Sequence, residues 1–142
     1  HYLGAFGEGF AMLAAAGGPN IHPHAVSDAK ERERWDRDVA NFNEDLKKVE
    51  KFFLDVLANR LSEEEISKTV SSFFGVQGPW YTVGWKMCVM IEKAFGRKAL
   101  IDVMCDQRKL LSLYDRAATL LNQRSQQRMA TWSPELVAAV EG

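Results

Sequence analysis

Glu8 is the residue best placed to do chemistry, because it is a lone charge in a long apolar stretch. No other Asp, Glu, Lys or Arg occurs between Tyr2 and Ile21. A carboxylate in apolar surroundings is costly unless a cation, a metal ion or several hydrogen-bond donors meet it. The sequence therefore makes Glu8 a candidate metal ligand or catalytic carboxylate. The alternative is a structural role, in which Glu8 pairs with an Arg or caps a neighbouring helix.

The chain has three histidines, His1, His22 and His24, so any histidine-based catalysis is confined to its first 24 residues. His22 and His24 flank Pro23 in a short loop and are close enough in sequence to share a metal ion. No Cys or acidic residue lies within that loop, so hydrogen-bonded or solvated histidines are the expected state. Only six residues separate His1 from Glu8, a short span in which to end one helix and present Glu8 from another.

Tyr81 and the two cysteines complete the reactive side chains. Tyr81 lies near the start of a largely apolar helix, where the helix dipole is positive, and a buried tyrosine hydroxyl needs a partner. Its alternative role is that of a core aromatic with one hydrogen bond. Cys88 and Cys105 both lie among apolar residues and are expected to be buried free thiols. Neither cysteine has a nearby base that would activate it as a nucleophile.

The helix that carries Glu8 is predicted to run from Leu3 to Ala16. Its apolar residues recur at three- and four-residue steps, and the neighbouring face holds only small or apolar residues around Glu8, as in a helix buried on all sides. Gly7 and Gly9 flank Glu8, although glycine inside a helix costs about 1 kcal/mol relative to alanine. This cost predicts that another element approaches the backbone closely there.

A second helix is predicted to begin at Ser27 or Asp28 and to run to about Leu61. Its apolar residues follow a heptad pattern: Trp35, Val39, Phe42, Leu46, Val49, Phe53 and Val56. We call this row the Trp35–Val56 seam. Packing inside the protein is the favoured use of the seam, and dimerisation is the alternative.

The rest of the chain also reads as helices. Ser62 and Glu65 form a capping box that opens a short helix, and Gly78-Pro79 opens the Tyr81 helix, which runs to Phe95. Gly84, inside that helix, again predicts a close approach of another element. Asp106 is predicted to cap a helix from Gln107 to about Asn122, between a short helix before it and a terminal one from Ser133-Pro134. The prediction is an all-α, bundle-like domain of about six helices over residues 1–142.

Composition excludes several classes of function. A formal net charge of −1 lacks the basic excess of a nucleic-acid-binding domain, and no apolar run reaches the roughly 18 residues of a membrane span. Glycine-rich phosphate loops and serine nucleophile elbows are absent from the sequence. Neither the substrate nor the compartment is determined, with the cytoplasm slightly favoured.

Two motifs resemble gluzincin-type metallopeptidases. The run Gly7-Glu8-Gly9-Phe10-Ala11 is similar to the Glu-Gly-x-Ala turn that follows the His-Glu-x-x-His helix in those enzymes. The run Tyr81-Thr82-Val83-Gly84-Trp85, continued by Ile91 to Gly96, resembles a later Tyr-x-x-Gly helix of the same enzymes. Nearly the whole chain looks like the C-terminal part of a bacterial family of uncharacterised "putative zinc-dependent peptidases".

This resemblance implies roles at matching positions. Glu8 would be the third zinc ligand, and Tyr81 would donate a hydrogen bond to a substrate carbonyl or oxyanion. The two zinc histidines and the general-base glutamate have no match here, so an upstream His-Glu-x-x-His segment is expected to dock beside Glu8 and to complete a site for peptide or protein substrates. The complete protein is then expected to be a zinc-dependent hydrolase, and residues 1–142 are expected to be inactive alone.

A non-enzymatic interaction or dimerisation module is the alternative function. The peptidase hypothesis predicts an open apolar groove beside Glu8, lined by Gly4, Ala11, Met12 and Tyr81, where a missing helix should dock. The alternative predicts that Glu8 pairs with an Arg or Lys of the chain and that the Trp35–Val56 seam is exposed.

Overall fold

The structure is a computed structural model and describes residues 2–142. These residues form eight α-helices and two short 3-10 turns, with no strand among them. The helices are α1 (Gly7–Ala16), α2 (Ala29–Ala40), α3 (Phe42–Leu57), α4 (Glu63–Phe74), α5 (Pro79–Phe95), α6 (Arg97–Cys105), α7 (Leu110–Arg124) and α8 (Pro134–Glu141). The all-α class is confirmed. About six helices were predicted and eight are found, in part because the long predicted second helix is divided into α2 and α3.

Helix α5 is the central element of the fold. It lies against α1, α3, α4, α6 and α7, and Trp80, Val83, Met87 and Ile91 are fully buried. A helix surrounded in this way needs apolar residues on nearly all of its faces, which is the pattern of its sequence. The predicted burial of this helix is confirmed.

The N-terminal helix differs from the prediction in two ways. Tyr2–Phe6 forms a 3-10 turn, and α1 begins only at Gly7 and ends at the left-handed cap residue Gly17. Helix α1 is also not buried on all sides, since Ala11 is exposed and Glu8 is partly exposed. The reason is that α1 lies along one side of α5, and no described element covers its opposite face.

The predicted long helix from Asp28 to Leu61 is wrong as a continuous element. It is divided at Asn41, where the backbone leaves helical geometry with φ −89° and ψ 16°. Asparagine is a weak helix former, and the bend separates α2 from α3. At the start of α2, the predicted cap is present, because Asp28 accepts a hydrogen bond from the backbone of Glu31.

The Trp35–Val56 seam is used inside the protein. Trp35 packs edge-on against Trp85 of α5 at 5.5 Å between ring centroids. Five seam residues are buried: Trp35, Phe42, Leu46, Val49 and Phe53. Val39 and Val56 are partly buried. The prediction of intramolecular packing is confirmed, and little of the seam remains exposed.

Two further helix boundaries follow the sequence signals, and one more does not. Ser62 and Glu65 form the predicted capping box at the start of α4, and Gly96, at φ 92°, separates α5 from α6. The predicted cap at Asp106 is wrong: its side chain pairs with Arg108 instead. A 3-10 turn, Gln107–Lys109, precedes α7 there.

Residues 128–133 form an extended segment, here called the C-terminal strap, which crosses α3 and α7. Side chains of those helices bind its backbone: Asn43 bonds to Arg128 and Ala130, Lys47 to Thr131, Glu50 to Ser133, Tyr114 to Ala130, Asp115 to Trp132, and Asn122 to Met129. The strap is in neither a helix nor a sheet, so these side chains supply the hydrogen-bond partners that its backbone N–H and C=O groups need. The strap places Trp132 and, beyond it, Leu136 in the core.

Both cysteines are free thiols, as predicted. Cys88 is buried, and this burial, together with the charge of Glu92, raises the pKa of its thiol to about 12. Cys105 is exposed at the end of α6, so its predicted burial is wrong. In the described residues, no helix is both long enough and apolar enough to cross a membrane.

Candidate functional site

Helices α1 and α5 cross at two glycines. A Cβ added to Gly9 would lie 2.0 Å from the backbone nitrogen of Trp85 and 2.3 Å from the carbonyl carbon of Gly84. A Cβ on Gly84 would lie 2.7 Å from the carbonyl oxygen of Phe6. Neither position has room for a side chain, which confirms the close approach predicted at Gly9 and Gly84. The two backbones touch, and this contact fixes the position of α1 on α5.

The crossing brings Glu8 beside Tyr81. Glu8 lies in the first turn of α1 and Tyr81 in the first turn of α5. Farther along, Gly18 after α1 lies near Arg97 after α5, so the two helices run in the same direction. Burial is the largest cause that raises the pKa of the Tyr81 hydroxyl, and the negative charge of the neighbouring Glu8 carboxylate raises it further. The hydroxyl of Tyr81 therefore stays protonated at neutral pH and is able to donate.

Two helix N-termini lie near the Glu8 carboxylate, but no cationic side chain of the described residues does. The N-termini of α1 and α5 lie together at this end, and each carries partial positive charge. Among residues 2–142, no Lys, Arg or His approaches the Glu8 carboxylate within ion-pair distance. The alternative prediction, that Glu8 pairs with an Arg or Lys of the chain, is therefore not met among the described residues.

The surface next to Glu8 is open and lined by small residues. A Cβ on Gly7 would meet no atom within 4 Å. Gly4 and Ala11 are exposed, and Met12 and Tyr81 are partly exposed. Glu8 lines none of the five well-defined pockets of the described residues. The site is an exposed face of α1, and the predicted groove beside Glu8 is not among these five pockets.

The loop histidines are held by protein partners. His22 Nε2 lies 2.7 Å from Asp36 Oδ1, and its Nδ1 accepts from the backbone N–H of His24. His24 bonds through Nδ1 to Ser27 and through Nε2 to Gln77, at 2.8 and 2.7 Å. All four ring nitrogens are occupied, so hydrogen-bonded loop histidines are the observed state.

Gln77 is a residue of this region that the sequence did not single out. Its side-chain oxygen accepts a hydrogen bond from His24 Nε2, and its side-chain NH2 group donates to the sulfur of Met12, one turn after Glu8. Its backbone is left-handed, with φ 57°, immediately before Gly78 and α5. Gln77 thereby joins the histidine loop, α1 and the start of α5. Its place between Gly75 and Gly78-Pro79 indicated a turn, but no sequence signal indicated these contacts.

No complete metal site is formed by residues 2–142. Nowhere in this range do three His, Cys, Asp or Glu side chains converge as a metal-binding group. Glu8 suits zinc as a single oxygen ligand, since no residue from 2 to 142 supplies a cationic partner for its carboxylate. The other ligands that zinc needs are not contributed by these residues. His1, the remaining histidine, lies outside the described residues.

Comparison with known proteins identifies a family. A family model described as "Putative zinc dependent peptidase (DUF5700)" matches residues 2–123. The match extends from the first turn of the fold into α7 and includes Glu8 and Tyr81. No curated protein and no solved structure shows significant similarity to the chain.

Proposed function

We propose, because the chain belongs to this family of putative zinc-dependent peptidases, that it forms the helical part of a gluzincin-like zinc metallopeptidase. Glu8 is the third zinc ligand, and Tyr81 donates a hydrogen bond to the substrate carbonyl or to the oxyanion that develops from it. The remaining metal ligands come from an upstream His-Glu-x-x-His segment that docks beside Glu8. The substrate is a peptide or protein.

One observation carries the proposal: the Glu8 carboxylate is partly buried, has no cationic partner among residues 2–142, and lies beside Tyr81 at an open face. A structural glutamate on this fold would be expected to pair with one of the 18 Lys and Arg residues, as Glu50 does with Lys47. Zinc is a cation of the kind that a carboxylate in such a setting requires.

The shape of α1 supports docking of a further helix. Gly7 has free space where a side chain would be, and Gly4 and Ala11 present little bulk on the same side. Small residues allow two helix backbones to approach closely, as Gly9 and Gly84 already do on the other side of α1. A second helix packed there would cover Glu8 and lower the local dielectric constant, which strengthens its interaction with a metal ion.

The chemistry of this chain's own residues is binding and orientation. A zinc ion bound in such a site lowers the pKa of a water molecule for attack on a peptide carbonyl. Glu8 would hold the metal through its carboxylate. Tyr81, whose raised pKa keeps its hydroxyl protonated, would donate to the carbonyl oxygen, where charge stabilisation contributes most in acyl transfer.

The first test is the coding frame that precedes His1. The proposal requires a His-Glu-x-x-His helix roughly 10 to 30 residues before Glu8, enough for one helix and a turn. A frame without this motif would overturn the proposal.

The second test is the zinc content of the protein that includes this segment, measured by elemental analysis after dialysis. Glu8→Gln is expected to lose zinc while its circular dichroism spectrum remains helical. Tyr81→Phe is expected to keep zinc and to lose peptidase turnover. Glu64→Gln, an exposed glutamate of α4, is the control and should change neither. Zinc retained by Glu8→Gln would contradict the ligand assignment.

The alternative of an interaction or dimerisation module receives less support from the structure. It relied on an exposed seam and on a paired Glu8, whereas most of the seam lies in the protein's own core. A dimer of this chain would have to use another surface.

A further inference from the structure

A pocket lies at the opposite end of the α1–α5 pair from Glu8, between the end of α1, the end of α5 and α6. It has a volume of about 240 Å³. Its walls are formed mainly by the apolar side chains of Phe10, Leu13, Leu100 and Ile101. Two charged residues, Glu92 and Arg97, also line it. We call it the Glu92 pocket.

Glu92 is a buried carboxylate that is only half satisfied. Its side chain is 7% exposed. One oxygen, Oε1, accepts a hydrogen bond of 2.8 Å from Arg97 Nε. The other oxygen, Oε2, is buried and has no hydrogen-bond partner among the described residues. An acceptor left in this state carries the full cost of its lost hydration.

The position of Glu92 in α5 adds to this cost. Glu92 lies in the last turn of α5, where the helix dipole is negative and disfavours an anion. Its partner Arg97 is 64% exposed, and ion pairs with exposed side chains contribute little stability. Glu92 therefore combines an unpaired buried oxygen, an unfavourable place in the helix dipole and an ion pair that compensates little. Residues that combine such unfavourable features are expected at functional positions.

Arg97 has free hydrogen-bonding capacity at the mouth of the same pocket. Its Nε is used by Glu92, and no hydrogen bond joins its two Nη groups to any described residue. Nη2 lies 3.6 Å from the position of a Cβ on Gly18, so the guanidinium reaches from the start of α6 to the residues that follow α1. A guanidinium in this state matches a carboxylate.

We propose that the Glu92 pocket binds a free amino acid with an apolar side chain. The ammonium group of the amino acid pairs with Glu92 Oε2, its carboxylate with the Nη groups of Arg97, and its side chain with the apolar wall. The pocket is smaller than the roughly 300–1,000 Å³ of sites for drug-sized ligands, which suits a single amino acid. Because Arg97 is exposed, its side chain is free to move aside for entry.

This site is separate from the one proposed around Glu8. Glu8 and Gly17 are nine residues apart, which is about 14 Å along a helix. Binding in the Glu92 pocket requires neither zinc nor an upstream segment, so the two proposals can fail independently.

Calorimetric titration of residues 1–142 with three matched ligands tests the proposal. Leucine is expected to bind saturably. Isoamylamine, which is leucine without its carboxylate, and 4-methylpentanoate, which is leucine without its ammonium group, are each expected to bind at least about tenfold more weakly, as for loss of one charged hydrogen-bonded group. Isoamylamine binding as tightly as leucine would overturn the amino-acid assignment, and so would the absence of any leucine binding.

Two variants connect the binding to this pocket. Glu92→Gln is expected to fold and to weaken leucine binding at least about tenfold, because it removes the charge that pairs with the ammonium group. Ala14→Phe places a ring in the pocket from an exposed position of its wall and should abolish binding without touching either charge. Glu64→Gln is the matched control and should bind normally. Leucine binding that survives Ala14→Phe would overturn the location.

Discussion

At the scale of single residues, environment decides what each ionisable group does. Glu8 and Glu92 are both carboxylates on the α1–α5 pair, yet Glu8 lies at the positive ends of two helices and Glu92 at the negative end of one. Asp115 is a third case, because the strap covers it while its carboxylate accepts a hydrogen bond from the backbone of Trp132 at 2.8 Å. Residue type alone distinguishes none of these roles.

The Glu8–Tyr81 contact leads to a prediction about titration. Glu8→Gln removes a negative charge next to the phenol, so the pKa of Tyr81 should fall towards its ordinary value, though burial keeps part of the increase. Ring carbon chemical shifts of Tyr81, followed by NMR against pH, measure this change. Glu64→Gln should leave the Tyr81 titration unaltered. An unchanged curve for Glu8→Gln would mean that the two side chains do not interact.

Asp115 leads to a prediction about pH and stability. Burial raises the pKa of its carboxyl to about 6, although the Trp132 N–H opposes the shift. The folded state then holds this proton more tightly than the unfolded state, so the stability from Asp115 falls as pH rises from about 4 to about 6. Asp115→Asn retains an acceptor for Trp132 but carries no titrating proton. Its free energy of unfolding should therefore rise by on the order of 1 kcal/mol relative to that of the wild type across this interval, a figure reduced for partial exposure.

Urea denaturation at several pH values between 4 and 7, a range set by the two pKa values, measures the Asp115 effect. The exposed Asp102, whose side chain is 62% accessible, is the control: Asp102→Asn should follow the wild-type pH dependence. Parallel curves for Asp115→Asn and wild type would contradict the assigned shift.

At the scale of elements, the crossing of α1 and α5 holds the candidate site together. The two backbones meet at Gly9 and Gly84, and the helices can lie this close only because glycine has no side chain beyond a hydrogen atom. Interiors at this packing density respond to a single added carbon. The geometry of Glu8 beside Tyr81 therefore depends on a contact that neither residue makes.

Gly9→Ala and Gly7→Ala form a matched pair that tests this crossing. Alanine at position 9 would overlap the backbone of Trp85 and should destabilise the fold by roughly 3 kcal/mol or more. Alanine at position 7 meets open space and should be neutral or stabilising by up to about 1 kcal/mol. Chemical denaturation of both variants measures the difference. Equal stabilities would mean that the helices do not touch at Gly9.

Gly7→Ala has a further consequence in the protein that includes the proposed upstream helix. A methyl group at position 7 would then meet the docked helix and should weaken zinc binding, although this chain alone is unharmed. Zinc content unchanged by Gly7→Ala would place the docking helix elsewhere.

At the scale of the whole molecule, the C-terminal strap joins the chain's end to its centre. Trp132 packs 6.0 Å from Phe6 between ring centroids and donates from its indole nitrogen to the sulfur of Met87. Phe6 comes immediately before α1, and Met87 lies in the middle of α5. Residues beyond the family match, which ends at 123, thus complete the core behind the Glu8 site.

Trp132→Ala tests whether residues 1–142 unfold as one cooperative domain, which stays a prediction. Loss of this buried ring should cost about 3–5 kcal/mol, and the single transition should shift without a second one appearing. Val26→Ala, at a fully exposed valine, should change stability by less than about 0.5 kcal/mol. A transition that splits in two would show that the C-terminal part folds separately.

The sequence by itself determined the features that depend on neighbours along the chain. Apolar spacing identified the helices, and local signals identified ends such as the Ser62 capping box, because caps and amphipathic faces involve residues within a few positions of each other. Gly9 and Gly84 indicated a close approach for the same reason, because the cost of glycine in a helix is local. The same signal at Gly7 met no neighbour among the described residues.

Only the tertiary structure decided which partner met each of these features. It joined Gly9 to Gly84, placed Tyr81 beside Glu8, divided the long helix at Asn41 and left Cys105 exposed. Each outcome depends on which distant helix covers a residue. The packing of the whole core decides this, and a local sequence pattern holds no information about it. The absence of a described neighbour on the open face of α1 is likewise visible only after the rest of the chain has been placed.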